Sequence, residues 1–140
     1  MNFEPNIKDS DIKRISNYYT YSENLSAGGQ PTAEQITSLK NEGFELVINI
    51  SPVSAKNALD NEHQLIESAG MDYIHFPVDC SNLRDFHYKS FRSLMLIAEG
   101  KKTFVHCGGN IKTSNLIHMY DVLERKVDEA ESLRILKVSR

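Results

Sequence analysis

The chain has 140 residues, with 16 Lys and Arg against 19 Asp and Glu and a formal net charge of −3. A chain of this length is typical of one domain and buries about two-thirds of its unfolded surface on folding. Hydrophobic residues make up 40% and charged residues 25%, which excludes wholesale disorder. The mild acidity and the lack of a long basic run argue against nucleic acid and membrane surfaces as partners.

The sequence also bounds the location and the domain organisation. No stretch approaches the ~20 consecutive apolar residues that span a membrane. The first residues have no apolar core behind a basic start, so we expect no secretory signal and a cytoplasmic protein. The two cysteines, Cys80 and Cys107, are too few for a disulfide scaffold. We expect a single domain over residues 1–140, with residues 1–24 as an N-terminal arm packed on it.

Strand-like and helix-like segments alternate from Leu25 onward, after a weak helical pattern over 11–19. Leu25–Ala27 is predicted to be a short strand, and a helix is predicted from Pro31 to the stop at Gly43. The later predictions are strands over 44–50, 73–78 and 103–105, and helices over 61–69, 91–98, 116–120 and 127–136. This alternation predicts an α/β fold with a central, mostly parallel sheet flanked by helices on both faces.

The segment after the strand 103–105 carries residues suited to chemistry. His106-Cys107 leads through the small residues Gly108, Gly109 and Asn110 into a predicted helix. Ligands of parallel α/β sheets bind at such strand-to-helix turns. The loop N–H groups and the helix dipole suit an anion and favour the thiolate of Cys107 as a nucleophile. The alternative is a cysteine that only packs in the core.

Three kinds of anion-binding loop are compatible with a strand followed by such a turn. Lys112-Thr113 suggests a nucleotide-binding P-loop, but that motif needs glycines where this chain has Ile111 and His106. The nucleotide interpretation is therefore excluded. A rhodanese-like sulfur-transfer loop and the phosphate-binding loop of cysteine-dependent phosphatases both place a cysteine after a strand, and both stay open on this evidence.

His106-Cys107, a small loop and Ser114 together resemble the His-Cys-x5-Arg-Ser/Thr signature of protein tyrosine and dual-specificity phosphatases. The resemblance is nearer to a bacterial branch of phosphatase-like proteins related to the beta-lactamase hydrolase-like proteins, and it covers residues 24–136. Further matching elements lie at 26–31, at 43–50 and at 70–78. The resemblance implies a phosphotyrosine-phosphatase-like fold and a hydrolase that acts on phosphomonoesters without a cofactor.

The resemblance further implies that one loop binds the phosphate. Its residues are His106, Gly108, Gly109, Asn110, Ile111, Lys112 and Thr113. Thr113 stands where the signature has arginine, and the shorter spacing of the bacterial branch places the basic residue at Lys112. Because lysine lacks the planar fork that binds two phosphate oxygens, we expect weaker transition-state stabilisation. Asn110 replaces a glycine but tolerates left-handed backbone angles.

Attack by Cys107 on phosphorus needs a second group that protonates the departing oxygen. Asp79 follows the strand 73–78, whose end lies at the same sheet edge as Cys107, so it is the first candidate acid. Asp85 is the second candidate, and the alternative for Asp79 is an ordinary helix cap or a solvated loop carboxylate. Ser114 is predicted to assist sulfur as a leaving group, and His106 to orient the loop.

The remaining polar residues support weaker hypotheses. His63, His75, His87 and His118 lack metal-ligand spacing, so we expect no metal site. Cys80 either forms a reversible disulfide with Cys107 under peroxide or packs in its loop. Two alternatives to the phosphatase remain: a catalytically impaired phosphatase-like module that binds phosphorylated or anionic ligands, and rhodanese-like sulfur transfer.

Overall fold

A computed structural model describes residues 11–52, 54–78, 84–108 and 111–138, with the backbone alone at 111, 112 and 138. Five strands and five α-helices lie in these ranges after a 3₁₀ turn at Ile12–Arg14. In chain order they are β1 Tyr19–Ser22, β2 Leu25–Gly28, α1 Ala33–Asn41, β3 Leu46–Asn49, α2 Glu62–Ser68, β4 Asp72–His75, α3 Asp85–Ile97, β5 Thr103–His106, α4 Ile111–Leu123 and α5 Glu129–Val138. Among the described helices, none is long and apolar enough to cross a membrane.

The five strands form one sheet in the order β1-β2-β5-β3-β4. Only β1 runs antiparallel to its neighbour within this described sheet, which confirms the predicted mostly parallel α/β fold. The central strand is β5, and its last residue, His106, lies beside Gly28 of β2 and Asn49 of β3. The turn that follows β5 is therefore flanked by the ends of two neighbouring strands.

Helix α1 shows how local sequence sets the element boundaries. The Thr32 hydroxyl accepts from the Gln35 N–H at 3.2 Å, and the Gln35 side chain accepts from the Thr32 N–H at 2.9 Å. This capping box satisfies N–H groups that the first helical turn leaves unpaired. At the other end, Gly43 has a φ of +92°, a left-handed conformation that glycine adopts without steric penalty. The helix thus starts and stops near the predicted residues.

Helices cover both faces of the sheet. One apolar cluster joins Ile48 and Val105 of the sheet to Phe91 of α3 and Leu116 of α4. The other cluster packs sheet residues against α1 and α2. Its largest side chains are Ile36, Leu39, Phe44, Ile66 and Phe104. Each fully buried side chain of this size stabilises the fold by about 2 kcal/mol, so the two clusters fix the sheet between its helical layers.

The N-terminal region departs from the sequence prediction. The prediction of a helix over 11–19 was wrong beyond the 3₁₀ turn, because Tyr19 begins the strand β1. This strand pairs with β2, and the register is irregular between Thr20 and Ser22. The Ser26 hydroxyl accepts from the Tyr18 hydroxyl at 3.1 Å. Aromatic and β-branched residues favour a sheet edge, and this pairing outweighs the weak helical periodicity. Whether residues 1–140 form a single domain stays a prediction.

Candidate active site

Cys107 is the first residue after the central strand β5, at the carboxyl edge of the sheet. It is a free thiol with 2% of its surface exposed, and it packs with Val105 and Leu116 in the cluster beneath α3 and α4. Its N–H donates to the Gly28 carbonyl at 3.3 Å. The strand and the apolar cluster therefore fix the backbone of Cys107 from below.

The backbone after Cys107 is held from two further sides. The carbonyl oxygen of Gly108 accepts from the Gln30 N–H at 3.2 Å and from the Asn57 side-chain amide at 3.0 Å. A Cβ atom at Gly29 would lie 2.7 Å from the same oxygen, so only glycine permits this approach. Residues 109 and 110 lie outside the described residues, and α4 begins at Ile111. The start of the loop is thus clamped between the β2–α1 turn and the segment before α2.

A buried polar network lies on the opposite face of the sheet from Cys107. His106 is fully buried, and its Nε2 is 3.0 Å from Oε2 of Glu62, the first residue of α2. The Asn49 amide donates to the same oxygen at 3.0 Å, and the Gln30 amide donates to the other oxygen of Glu62. Asn49 also donates to the Tyr73 hydroxyl at 3.0 Å. Glu62 is the common partner of this network.

The network changes how its acidic groups titrate. Burial by itself raises the pKa of Glu62, but the hydrogen bond and charge of His106, with the Gln30 hydrogen bond, outweigh burial and leave that pKa lowered. Burial raises the pKa of the Tyr73 hydroxyl, and the nearby Glu62 carboxylate raises it further. An ionised carboxylate therefore lies behind the strand end. Sequence reasoning missed Glu62, because an acidic residue in a first helical turn is usually a solvated cap.

The first turn of α4 contains several of the predicted binding residues. Thr113 is fully buried and Ser114 is 1% exposed. The hydroxyl of Thr113 has no hydrogen-bond partner in the part of the chain that the structure describes. Lys112 belongs to the same turn by its backbone, but its side chain and that of Ile111 lie outside the described residues. The position of the signature arginine is thus occupied by a short, buried side chain.

The structure brings His106, Cys107 and Gly108 together with the start of α4. Asp79, Gly109 and Asn110 lie outside the described residues, and so does Cys80 with its proposed disulfide. Asp85 is the first residue of α3 and is exposed. The identity of the acid therefore stays a prediction.

The other histidines have local partners instead of metal-ligand geometry. The His75 Nε2 lies 2.7 Å from the Ser51 carbonyl, and the His118 Nδ1 lies 2.7 Å from the Ser132 hydroxyl. His63 pairs with Glu67 on the surface of α2. Within the described ranges, no group of three or more His, Cys, Asp or Glu residues could hold a metal ion.

Comparison with known proteins connects this site to a family. No protein-family model matches the chain. The crystal structure of "Putative phosphatase (DUF442)" from Shewanella putrefaciens CN-32 is similar, with 30% identity, a TM-score of 0.79, and coverage of 94% of this chain and 85% of that chain. P. aeruginosa TpbA in complex with pTyr shares the fold, with 18% identity, a TM-score of 0.74, and coverage of 95% and 76%.

The chain is also similar to one part of a longer protein. The beta-lactamase hydrolase-like protein of Agrobacterium fabrum (strain C58) is 28% identical over 112 residues, which are 78% of this chain and 26% of that protein. This chain spans about a quarter of the length of that relative. The 30% identity to the Shewanella putrefaciens structure over most of both chains shows that this chain belongs to the DUF442 family of phosphatase-like proteins. The family resemblance read from the loop is confirmed.

Proposed function

We propose that this protein is a cysteine-dependent phosphatase that hydrolyses phosphomonoesters with Cys107 as the nucleophile. The observation that carries the proposal is the position of Cys107 at the carboxyl end of the central strand, a short loop away from the amino end of the 13-residue helix α4. A helix of this length directs its positive dipole end toward that loop, which suits a phosphate. Membership of the phosphatase-like family supports the same chemistry.

The proposed reaction has two steps. The Cys107 sulfur forms a bond to phosphorus while the ester P–O bond breaks, and Asp79 gives a proton to the departing oxygen, with Asp85 as the second candidate. Water then attacks the cysteinyl-phosphate, which releases phosphate and returns the thiolate, with Ser114 as hydrogen-bond donor to the leaving sulfur. The loop N–H groups of 108–113 and the Lys112 ammonium bind the phosphoryl oxygens. No cofactor takes part.

The substrate and the location complete the proposal. We expect a phosphorylated substrate or another oxyanion as the partner, and neither nucleic acid nor a membrane, in the cytoplasm of a bacterium. The pTyr complex of TpbA makes a phosphotyrosine peptide the first substrate to test, and a phosphoserine peptide tests dual specificity. Because Thr113 is buried, the charge of the phosphate is left to Lys112 and the loop amides, so we expect slow turnover.

An assay on p-nitrophenyl phosphate tests the proposal directly. Cys107→Ser removes the nucleophile and should abolish turnover, while Lys112→Arg should restore two-point binding and raise kcat. Lys89→Arg, on the exposed surface of α3, is the matched control and should leave the rate unchanged. Asp79→Asn and Asp85→Asn, compared with each other, identify the acid as the variant with the lower kcat. Undiminished turnover in Cys107→Ser would overturn the proposed mechanism.

The buried threonine favours one second candidate, a binding module that retains ligand affinity without turnover. This function predicts no hydrolysis by the wild type, together with saturable binding of a phosphotyrosine peptide to Cys107→Ser. Rhodanese-like sulfur transfer would instead give thiocyanate from thiosulfate and cyanide. The three activities are thus separated by the same set of purified proteins.

A further inference from the structure

A carboxylate is buried directly behind the strand that carries Cys107. Glu62 is 5% exposed, although it begins a helix whose first turn would ordinarily face water. Burying a charged group costs several kcal/mol unless hydrogen bonds and an opposite charge compensate it. Glu62 accepts such bonds from His106, Asn49 and Gln30. Packing alone gives no reason for a charged residue at this position.

The first contact fixes the ring of His106. An ionised Glu62 can only accept, so the His106 Nε2 at 3.0 Å carries a proton. The Phe104 ring stacks on the imidazole with centroids 5.9 Å apart and planes 23° apart, which opposes rotation of the ring. The other nitrogen, Nδ1, is buried and has no partner among the described residues. Nδ1 is the ring nitrogen nearer the backbone of His106, and that backbone continues into the loop at Cys107.

The second contact reaches the loop from another side. The Gln30 side chain donates to Glu62, while the N–H of the same residue donates to the Gly108 carbonyl at 3.2 Å. One residue therefore joins the buried carboxylate to the backbone directly after Cys107. Glu62 thus contacts the residue before Cys107 directly and the residue after it through Gln30.

We propose that Glu62 is a positioning residue. It holds His106 directly and the Gly108 peptide through Gln30, and so keeps the backbone on both sides of Cys107 in the arrangement that stabilises the thiolate. The expected effect on turnover rests on the proposed phosphatase function. The expected effect on alkylation of the Cys107 thiol does not depend on that function. His106 contacts Glu62 from α2 and the Phe104 ring on its own strand. Asn49 from β3 and Tyr73 from β4 belong to the same hydrogen-bond network, Asn49 through its bonds to Glu62 and to the Tyr73 hydroxyl.

The sign of the effect distinguishes positioning from a simple charge. A negative charge near a thiol disfavours the thiolate, so a Glu62 that acted only by charge would make Cys107 more reactive once neutralised. Loss of positioning has the opposite result, because loop N–H groups that are no longer aligned stabilise the thiolate less. Glu62→Gln keeps the size of the side chain and removes the charge, so it separates the two effects.

The test follows alkylation of Cys107 by iodoacetamide between about pH 5 and pH 9, with the modified peptide quantified by mass spectrometry. In Glu62→Gln we expect the midpoint to rise by about one pH unit, so that alkylation below the midpoint is about tenfold slower. On p-nitrophenyl phosphate we expect kcat to fall by about tenfold with little change in KM. Glu62→Asp keeps the charge and should recover part of the loss. Glu67→Gln changes an exposed glutamate of the same helix and should match the wild type.

Three results would overturn the inference. One is a midpoint in Glu62→Gln that is unchanged or lower, whatever the thermal stability. Another is an equal shift in a His106→Asn background, because an effect that passes through His106 must be non-additive with its loss. Should Glu62→Gln fail to fold, a wild-type midpoint in His106→Asn overturns it instead, because the proposed effect of Glu62 passes through that ring. Absence of turnover in the wild type, with the midpoint shifted, rejects the phosphatase and supports the positioning role.

Discussion

Helix α2 contributes a glutamate to each of two Glu–His pairs, one exposed to solvent and one buried. Glu67 and His63 are 2.7 Å apart on the helix surface, with exposed side-chain fractions of 61% and 63%. Glu62 and His106 are 3.0 Å apart, with exposed fractions of 5% and 0%. The surface pair joins neighbours four residues apart, whereas the buried pair joins α2 to the central strand across 44 residues.

The shorter distance of the surface pair does not make it the larger contributor to stability. Water screens an exposed pair, and holding two mobile side chains together consumes most of its small gain. A buried pair has no water to replace a missing partner, so its loss leaves a charge or a polar group unsatisfied. We therefore expect removal of Glu62 and removal of Glu67 to differ by an order of magnitude in their effect on stability.

The largest expected effect is that of Glu62→Ala. Truncation leaves His106 and Asn49 buried without their common acceptor, and breaking a buried pair from one side costs about 3 kcal/mol. Urea unfolding followed by circular dichroism measures this loss. Glu67→Ala in the same helix is the control, and a loss below about 1 kcal/mol for Glu62→Ala would contradict the argument.

The next effect tests the link from the buried pair to the loop. Gly29→Ala would place a Cβ 2.7 Å from the Gly108 carbonyl oxygen, and a backbone atom cannot move aside as a side chain can. We expect a loss of about 1–3 kcal/mol and slower alkylation of Cys107. At Gly28 the nearest atom, Ile15 Cγ2 at 3.0 Å, belongs to a side chain, so Gly28→Ala should be the milder variant. Equal effects at both positions would reject the loop contact as the cause.

The third effect is a pH dependence of stability that belongs to Glu62. The pKa of Glu62 in the folded state is lowered below the ordinary 4.5, so the folded state binds fewer protons at this group than the unfolded state does. The contribution of Glu62 to the free energy of unfolding is therefore fully present above pH 4.5. That contribution is lost as the pH falls below 4.5 through the lowered folded value. The difference in unfolding free energy between wild type and Glu62→Gln should therefore shrink on acidification from about pH 6 to about pH 3. A difference that grows on acidification would contradict the sign.

The smallest effect is that of Glu67→Gln, which removes the charge of the surface pair. An exposed i,i+4 pair contributes about 0.3–0.5 kcal/mol, and added salt reduces it further. Denaturant midpoints at low and high salt measure this contribution. A loss comparable to that of Glu62→Ala would show that exposure does not decide the difference between the two pairs.

Local sequence patterns predicted most of the architecture but less of the candidate site. Gly43 and the pair Thr32 and Gln35 act within a few residues along the chain, so local rules located α1. Cys107 was found because a small-residue turn after a strand is itself a local signal. The strand at Tyr19–Ser22 was missed because its pairing with β2 is decided by tertiary contacts, not by local periodicity.

Glu62 shows why part of a site escapes sequence reasoning. Its neighbours along the chain are those of an ordinary helix start, and its partners Gln30 and His106 lie 32 and 44 residues away. Only the parallel crossovers bring these three residues together, and no short motif records that arrangement. The pattern Gly29-Gln30 after β2 was visible in the sequence as a family element, yet its contact with Gly108 was not.

The two edges of the sheet have a consequence for association between molecules. An open strand edge can pair with another chain and lead to aggregation. The β1 edge is interrupted by the register irregularity between Thr20 and Ser22, which disturbs a continuous ladder. The β4 edge is only four residues long, starts at the exposed Asp72, and is followed closely by Pro77, which has no N–H to donate. Each edge thus opposes edge-to-edge pairing by a different means, and the central strand that leads to Cys107 stays protected between them.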